Sequence, residues 1–174
     1  MVYIEKLESP SAVRMASRIG ASVAMHSTAV GKAFLAGMPP AQRAALLADL
    51  VLSALTARTV TTLDALRLQL GAVQTSGWSV DDEENEADIQ CFGAAIVGGH
   101  GVPVAAISVN TLRFRQKPDP QQAYVGAVLR AALSLPGCDV GFAPPVLRWP
   151  SQPAPGWKAP GWPQPQSQPQ LRRR

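Results

Sequence analysis

The proline-rich end of the chain is the feature that most limits what can fold, since nine of the 16 prolines lie between Pro144 and Pro169. Three of the four tryptophans lie in the same stretch. Each proline removes a backbone donor and interrupts the hydrogen bonding of helices and sheets. This composition predicts one folded domain over residues 1–136 and a disordered Pro/Trp-rich tail over residues 137–174.

The positive charge of the chain is concentrated in that tail. The net charge is +4 at pH 7, but residues 1–136 contain 11 Lys or Arg and 11 Asp or Glu. A neutral domain offers no excess of positive charge for binding nucleic acid, and no stretch approaches the roughly 20 apolar residues of a membrane helix. The first residues also lack the regions of a signal peptide. We therefore expect a cytoplasmic domain that binds neither DNA nor a membrane by itself.

The cysteines predict neither a metal site nor a disulfide framework. Cys91 and Cys138 have no CxxC spacing, and only two histidines, His26 and His100, accompany them. Structural zinc sites need four closely spaced ligands. We therefore expect no cofactor and no bound metal.

Short alternating runs of apolar and polar residues occupy the first 26 positions, separated by turn-forming residues such as Ser-Pro-Ser. Alternation with a period of two is typical of strands that are buried on one face. The pattern predicts three antiparallel strands, near residues 2–8, 12–18 and 22–26.

Three helices are predicted next. Ser27 and Thr28 supply capping oxygens before the segment AVGKAFLAG, which a glycine and two prolines end. A second helix is expected over residues 40–50. The third is capped by Thr61 or Thr62 and carries an apolar stripe at helical spacing.

Two strands and a closing helix complete the predicted domain. The segments DIQCFGAAIV and PVAAISVNTL are rich in small and β-branched residues and are joined by a glycine-rich turn around His100. Asp119 and Pro120 then combine a helix cap with a proline at the first helical position. The predicted order of strands, then helices, then strands and a last helix is typical of an α+β domain with an antiparallel sheet.

A series of segments in this chain is more specific than any single motif: VYIEKLES, MHSTAVGKAFLAG, LTARTVTTLDAL, GWSVDDEENEADIQCFGAAI and PVAAISVNTLRF. In this order and with these gaps, they resemble the effector-binding domain of IclR-type bacterial transcriptional regulators. The resemblance implies a GAF-like fold, in which a curved antiparallel sheet carries helices on its outer face and an effector cavity on the other. It also implies that DNA is contacted only through a winged helix-turn-helix, which we expect this chain to lack.

The resemblance also implies a class of ligand and an assembly. Domains of this family bind small organic acids, sugar acids or aromatic acids, and they associate as dimers or tetramers. We therefore expect a carboxylate effector and a homo-oligomer.

The start of the helix at Ala29 is the first candidate part of the site. Unpaired amides and the positive end of the helix dipole attract a carboxylate there. The resemblance assigns this role to the backbone of Ala29 and Val30, with Gly31 beside them. From the residues alone, an ordinary capped helix packed by small residues is the better interpretation.

Ser108 and Asn110 are two residues apart on one predicted strand, so their side chains share a face. Burying such groups unpaired costs roughly 1–3 kcal/mol each. A ligand and an exposed sheet face are equally compatible with this pattern. The family usually has a second serine at the position of Asn110. The longer amide side chain here means that the size and identity of the ligand can differ from those of other family members.

The resemblance adds four further residues to the candidate site. Cys91 is expected to pack against the ligand without acting as a nucleophile, and Asp81 to accept from a ligand hydroxyl. Asp81 begins an acidic run ending at Asp88, which we otherwise interpret as a solvated loop. Met15 and Val23 correspond to apolar walls of the family cavity, although plain core positions would give the same pattern.

Three functions compete at this point. A ligand sensor for a transcription regulator is the leading hypothesis. A hydrolase or metal-dependent enzyme would use Cys91, His26 and the acidic run, but no nucleophile motif is present, and His26 is more simply a structural histidine. An interaction module that forms hetero-oligomers with a full-length relative is compatible with everything in the sequence.

Overall fold

The computed structural model describes residues 1–8, 17–116 and 118–135. The described strands are β1 (Ser79–Asp82), β2 (Ile89–Val97) and β3 (Pro103–Leu112), in an antiparallel sheet of order β1-β2-β3. The described α-helices are α1 (Ala29–Gly37), α2 (Pro40–Asp49), α3 (Leu63–Ser76) and α4 (Pro120–Ser134). The predicted tail, residues 137–174, lies outside the described residues.

The helices begin where the capping residues predict. The Thr28 hydroxyl accepts from the Gly31 amide at 3.1 Å and thereby caps α1. Thr62 caps α3 and Asp119 caps α4 in the same way. Of the paired candidates, the structure selects Thr28 and Thr62, because their hydroxyls lie within reach of the amides three residues further on.

The sheet contains the two predicted strands and one that was not predicted. β2 and β3 form a long antiparallel hairpin with a β-bulge between Ile96 and Val97. β1 has only four residues, and two of them, Asp81 and Asp82, begin the acidic run. A strand so short and polar lacks the alternation that reveals a strand in a sequence, and its pairing with β2 defines it instead.

The strands predicted near residues 2–8 and 22–26 are not formed as strands, although the two segments do pair in the antiparallel sense. These segments meet in an isolated antiparallel bridge between Val2 and Ser22, flanked by hydrogen bonds from the Tyr3 amide to the Ala21 carbonyl and from the Val23 amide to the Met1 carbonyl, each 3.0 Å long. The Gly20 amide also donates to the Tyr3 carbonyl at 2.7 Å. The backbone then turns toward α1, since the Ala24 carbonyl accepts from the Thr28 amide. Most of the segment predicted at 12–18 lies outside the described residues.

Apolar side chains on one face of the sheet form a core with α4. Its members are Trp78, Val80, Phe92, Ala94, Ile96, Val125, Val128, Leu129 and Ala132. On the opposite face, α1 contacts all three strands, and α3 packs against α1. The α+β class and the antiparallel sheet are confirmed. The expected placement of helices on one face only is not, because α4 covers one face of the described sheet and α1 covers the other.

None of the helices in the described ranges combines the length and the hydropathy that crossing a bilayer requires.

Candidate functional site

The N-terminal end of α1 lies directly on the sheet. A Cβ atom added to Gly93 would lie 2.9 Å from the carbonyl carbon of Ala29, so only glycine allows this approach. The buried Ser79 hydroxyl donates to the Ala29 carbonyl oxygen at 2.6 Å. These contacts place the first turn of α1 over β1 and β2.

A cavity of about 210 Å³ lies beside this contact. Its lining residues come from the N-terminal segment, the start of α1, the loop after β1 and the sheet. They are Tyr3, Ser17, Ala21, Ser22, Ala24, Thr28, Ala29, Val30, Asp81, Asn85, Glu86, Ile89, Cys91, Ser108 and Asn110. Six of the predicted site residues are among them: Ala29, Val30, Asp81, Cys91, Ser108 and Asn110.

Two amides in the first turn of α1 precede the hydrogen-bonding ladder of the helix, and their residues line the cavity. The first i to i−4 bond of the helix joins the Lys32 amide to the Thr28 carbonyl at 3.0 Å, and the amides of Ala29 and Val30 precede it. The Gly31 amide is already used, since it donates to the Thr28 hydroxyl. An anion at this helix end would therefore meet Ala29 and Val30 first.

Gly31 itself packs away from the cavity lining. A Cβ atom at this position would lie 2.5 Å from the Cα of Met25, which is far inside van der Waals contact. Gly31 is therefore required for close packing between the first turn of α1 and the preceding chain.

Strand register brings three predicted residues into one row. Asp81 pairs with Cys91, and Cys91 pairs with Asn110, so the row crosses all three strands. Ser108 occupies the adjacent row opposite Gly93. The Ser108 hydroxyl donates to Asn110 Oδ1 at 3.1 Å, which confirms that the two side chains share a face.

The environment of Asp81 favours its protonated form more than water does. Asp81 is only 2% exposed, and burial raises the pKa of its carboxyl to about 6. Its Oδ1 accepts from the amides of Glu84 at 2.8 Å and Asn85 at 3.2 Å, which oppose that rise. The carboxyl group thus holds the loop after β1 while bordering the cavity.

Cys91 has the surroundings of a protonated thiol. Burial raises the pKa of Cys91 well above its usual range, and the neighbouring Asp81 carboxylate raises it further. The thiolate is the reactive form of cysteine. Cys91 is therefore suited to packing and weak hydrogen bonding rather than to nucleophilic attack.

Sequence reasoning missed the polar wall formed by Tyr3, Asn85 and Glu86. Burial raises the pKa of the Tyr3 hydroxyl, with smaller contributions from Cys91 and Asp81. Asn85 accepts from the buried Ser27 hydroxyl at 3.1 Å. No local pattern marks these residues, because the wall exists only once the N-terminal segment and the acidic loop meet α1.

The acidic run is only partly the solvated loop that the sequence suggested: Glu86 and Asp88 are exposed, but Asp81 and Glu84 are buried. Glu84 is 2% exposed and lies 2.6 Å from Nζ of Lys32, which is 1% exposed. Burial lowers the pKa of Lys32 and raises that of Glu84, while the attraction between the two charges opposes both shifts. A lysine within the apolar segment AVGKAFLAG was the available signal for a buried partner. Asp82 is also paired, with Arg58 and Arg113.

The remaining predicted positions lie elsewhere. Val23 is buried but is not one of the lining residues. Met15 lies outside the described residues. His26 is buried, with Nε2 at 2.9 Å from the Ser53 carbonyl oxygen, as expected of a structural histidine. Within residues 1–8, 17–116 and 118–135, no three His, Cys, Asp or Glu side chains group as metal ligands.

Comparison with known proteins gives consistent matches. Residues 1–136 match the family model described as bacterial transcriptional regulator IclR C-terminal. The HTH-type transcriptional regulator KdgR of Dickeya chrysanthemi is 31% identical over 135 residues, which are 78% of this chain and 44% of that protein. The transcriptional repressor IclR of Escherichia coli K12 is 32% identical over 131 residues, covering 75% of this chain and 48% of the repressor.

A solved structure agrees with these sequence matches. The crystal structure of the Thermotoga maritima IclR superposes with a TM-score of 0.72 at 33% identity, covering 75% of this chain and 53% of that one. The chain spans about half the length of the curated relatives it matches.

Proposed function

Because this chain belongs to the IclR family of bacterial transcriptional regulators, as a C-terminal effector-binding domain, we propose that it senses a small carboxylate metabolite. The observation that carries the proposal is the cavity between the start of α1 and the polar row on β3. One wall offers the amides of Ala29 and Val30, and the facing wall offers Ser108 and Asn110.

The two walls suit different parts of one acid. The carboxylate would lie at the start of α1, where the backbone donors and the helix dipole favour an anion. The remaining oxygens of the ligand would be oriented by Ser108 and Asn110, which now bond to each other. Exchanging that bond for bonds to a ligand costs little, because hydrogen bonds of this kind contribute only about 0.5–1.5 kcal/mol net.

Asp81 and Cys91 are proposed to contact the middle of the ligand. They lie in the row next to Ser108 and are both buried. The carboxyl of Asp81 is a suitable acceptor for a hydroxyl group, and Cys91 provides a weakly polar packing surface. Sugar acids, 2-oxo acids and aromatic acids are the classes to compare.

The proposal extends to regulation by an assembled protein. An acid that binds two arrangements of the subunits with different affinity shifts the equilibrium between them. We propose that this domain self-associates as a dimer or tetramer, and that the shift alters operator binding by helix-turn-helix domains in the assembly.

Isothermal titration with pyruvate, gluconate and benzoate tests the ligand class. For the acid that binds, Ser108→Ala and Asn110→Ala should each weaken binding by about 0.5–1.5 kcal/mol, or roughly two- to tenfold in Kd. Ser134→Ala, which removes an exposed hydroxyl on α4, is the matched control and should leave Kd unchanged. Unchanged affinity in both site variants, with the fold intact, would place the ligand elsewhere.

A further inference from the structure

A buried ion pair joins the two elements on either side of the cavity without lining it. Lys32 lies in α1, one turn after Ala29, and is 1% exposed. Glu84 lies in the loop after β1, immediately before Asn85, and is 2% exposed. Lys32 Nζ and Glu84 Oε1 are 2.6 Å apart. The pair therefore connects the helix that forms one wall with the loop that forms another.

Stability alone does not explain this pair. Removing two charges from water costs free energy, and apolar residues of similar volume are often at least as stable in such positions. The second carboxylate oxygen, Glu84 Oε2, is buried with no hydrogen-bond partner among the described residues. What the pair supplies that an apolar contact does not is a fixed distance and direction between two elements.

Glu84 is also the point at which the loop is tied down. Its amide donates to Asp81 Oδ1 at 2.8 Å, and its carbonyl accepts from the Thr59 hydroxyl at 2.6 Å. The next residue, Asn85, donates its amide to the same Asp81 oxygen and accepts from the Ser27 hydroxyl. The Glu84 and Asn85 amides thus share one acceptor, so a shift of the Glu84 backbone would reach Asn85, a residue of the cavity wall.

Gln69 of α3 completes the arrangement. Its Oε1 accepts from Lys32 Nζ at 3.0 Å, and its Nε2 donates to Glu84 Oε1 at 3.2 Å. One amide side chain thus contacts both members of the pair and restricts each of them.

We propose that Lys32 and Glu84 are positioning residues for the cavity, setting the separation between the first turn of α1 and the loop residues Asn85 and Glu86. The inference rests on the proposed function, since it assigns a role in acid binding to residues outside the cavity. The pair acts through the wall residues and does not contact the acid.

The variant Lys32→Met/Glu84→Met tests this role, because it removes both charges and keeps long side chains in the core. Hydrogen exchange followed by NMR should show that the backbone amides at positions 84 and 85 exchange at least about ten times faster than in the parent protein. The exchange rates of the α4 amides should not change. The Kd for pyruvate, gluconate or benzoate, whichever binds the parent protein, should rise about tenfold.

Asp64→Asn is the matched control. It breaks the exposed ion pair between Asp64 and Arg67 on α3, whose nitrogen and oxygen atoms are 3.1 Å apart. Neither the loop amides nor the Kd should change. Gln69→Leu is the milder second variant, which keeps both charges and should raise loop exchange about threefold. If the double variant does not fold, loop exchange in Gln69→Leu decides whether the ion pair positions the loop.

The outcomes separate this inference from the proposed function. If no acid binds the parent protein, the proposed function fails, and loop exchange in the variants still decides the positioning role. If the loop amides exchange within about twofold of the parent rate in whichever variant folds, the proposal is overturned, because the Lys32–Glu84 pair would then contribute only core packing. Faster exchange with an unchanged Kd would also overturn the inference, because the loop would then have moved without affecting the site.

Discussion

The Ser79 hydroxyl joins β1 to α1 by donating to the carbonyl oxygen of Ala29, 2.6 Å away. The same hydroxyl lies 3.2 Å from the Gly93 carbonyl oxygen, so it is shared between the helix start and the adjacent strand. The position of the cavity relative to the sheet depends on this contact, since Ala29 is part of the cavity wall.

Ser79→Ala should therefore lower the free energy of unfolding by about 0.5–1.5 kcal/mol, the net contribution of one hydrogen bond. Urea denaturation followed by circular dichroism measures the change. Ser134→Ala, at an exposed hydroxyl in the last turn of α4, should change stability by less than about 0.5 kcal/mol. Equal effects in the two variants would contradict a structural role for Ser79.

Alanine at two helical glycines should act in opposite directions. Gly31→Ala forces a methyl group to within 2.5 Å of the Met25 Cα, so it should destabilise the domain by about 1–3 kcal/mol or more. Gly71 in α3 has no atoms within 4 Å of an added Cβ, and alanine there should stabilise by about 0.5–1 kcal/mol. Thermal denaturation distinguishes the two signs. A loss of stability in Gly71→Ala would show that α3 packs differently.

The pH dependence of stability should change in Asp81→Asn. The folded-state pKa of Asp81 is raised from 3.8 to about 6, so the folded protein binds this proton more tightly than the unfolded chain. That preference stabilises the fold fully below the unfolded pKa and is lost as the pH rises through about 6. The parent should therefore lose up to about 3 kcal/mol relative to the variant over this range.

Urea denaturation of both proteins at several pH values between about 4 and 8 measures that difference. Asparagine retains an oxygen that can accept from the Glu84 and Asn85 amides, so the loop contacts are kept. A constant difference across the range would mean that Asp81 titrates normally in the folded state.

The Cys91 thiol should resist alkylation in the folded protein. Burial and the neighbouring Asp81 raise its pKa, which lowers the thiolate fraction, and the side chain is only 6% exposed. At pH 8, iodoacetamide should modify Cys91 about 100-fold more slowly in native buffer than in urea. Peptide mass spectrometry gives the rate at this residue. Similar rates in both conditions would indicate an open, reactive thiol and revive a catalytic interpretation.

Local signals predicted the elements that depend on neighbours in the sequence. The cap at Thr28, the cap at Asp119 and the strands on either side of the glycine-rich turn are all confirmed. In each case the determining contact lies within a few residues.

The parts that escaped prediction depend on contacts between distant segments. β1 is defined by its pairing with β2, and the burial of Glu84 requires Lys32, 52 residues earlier in the chain. Tyr3 reaches the cavity from the far end of the chain. Six predicted site residues line one cavity because strand register and the close contact at Gly93 bring them together. Their grouping was predicted from the family resemblance and not from any local pattern in the sequence.

Alternate side chains of β3 lie on opposite faces of the sheet and contact different parts of the domain. Ser108 and Asn110 face the cavity, whereas Ile107 and Val109 pack with the α4 core. Substitutions at Ser108 and Asn110 therefore change the cavity wall while leaving the core composition intact. The bulge between Ile96 and Val97 lies between the hairpin turn and these positions, so the irregular pairing is confined to the turn end of the hairpin. Along β3, a change in the chemistry of the cavity wall is therefore separable from a change in the packing of the core.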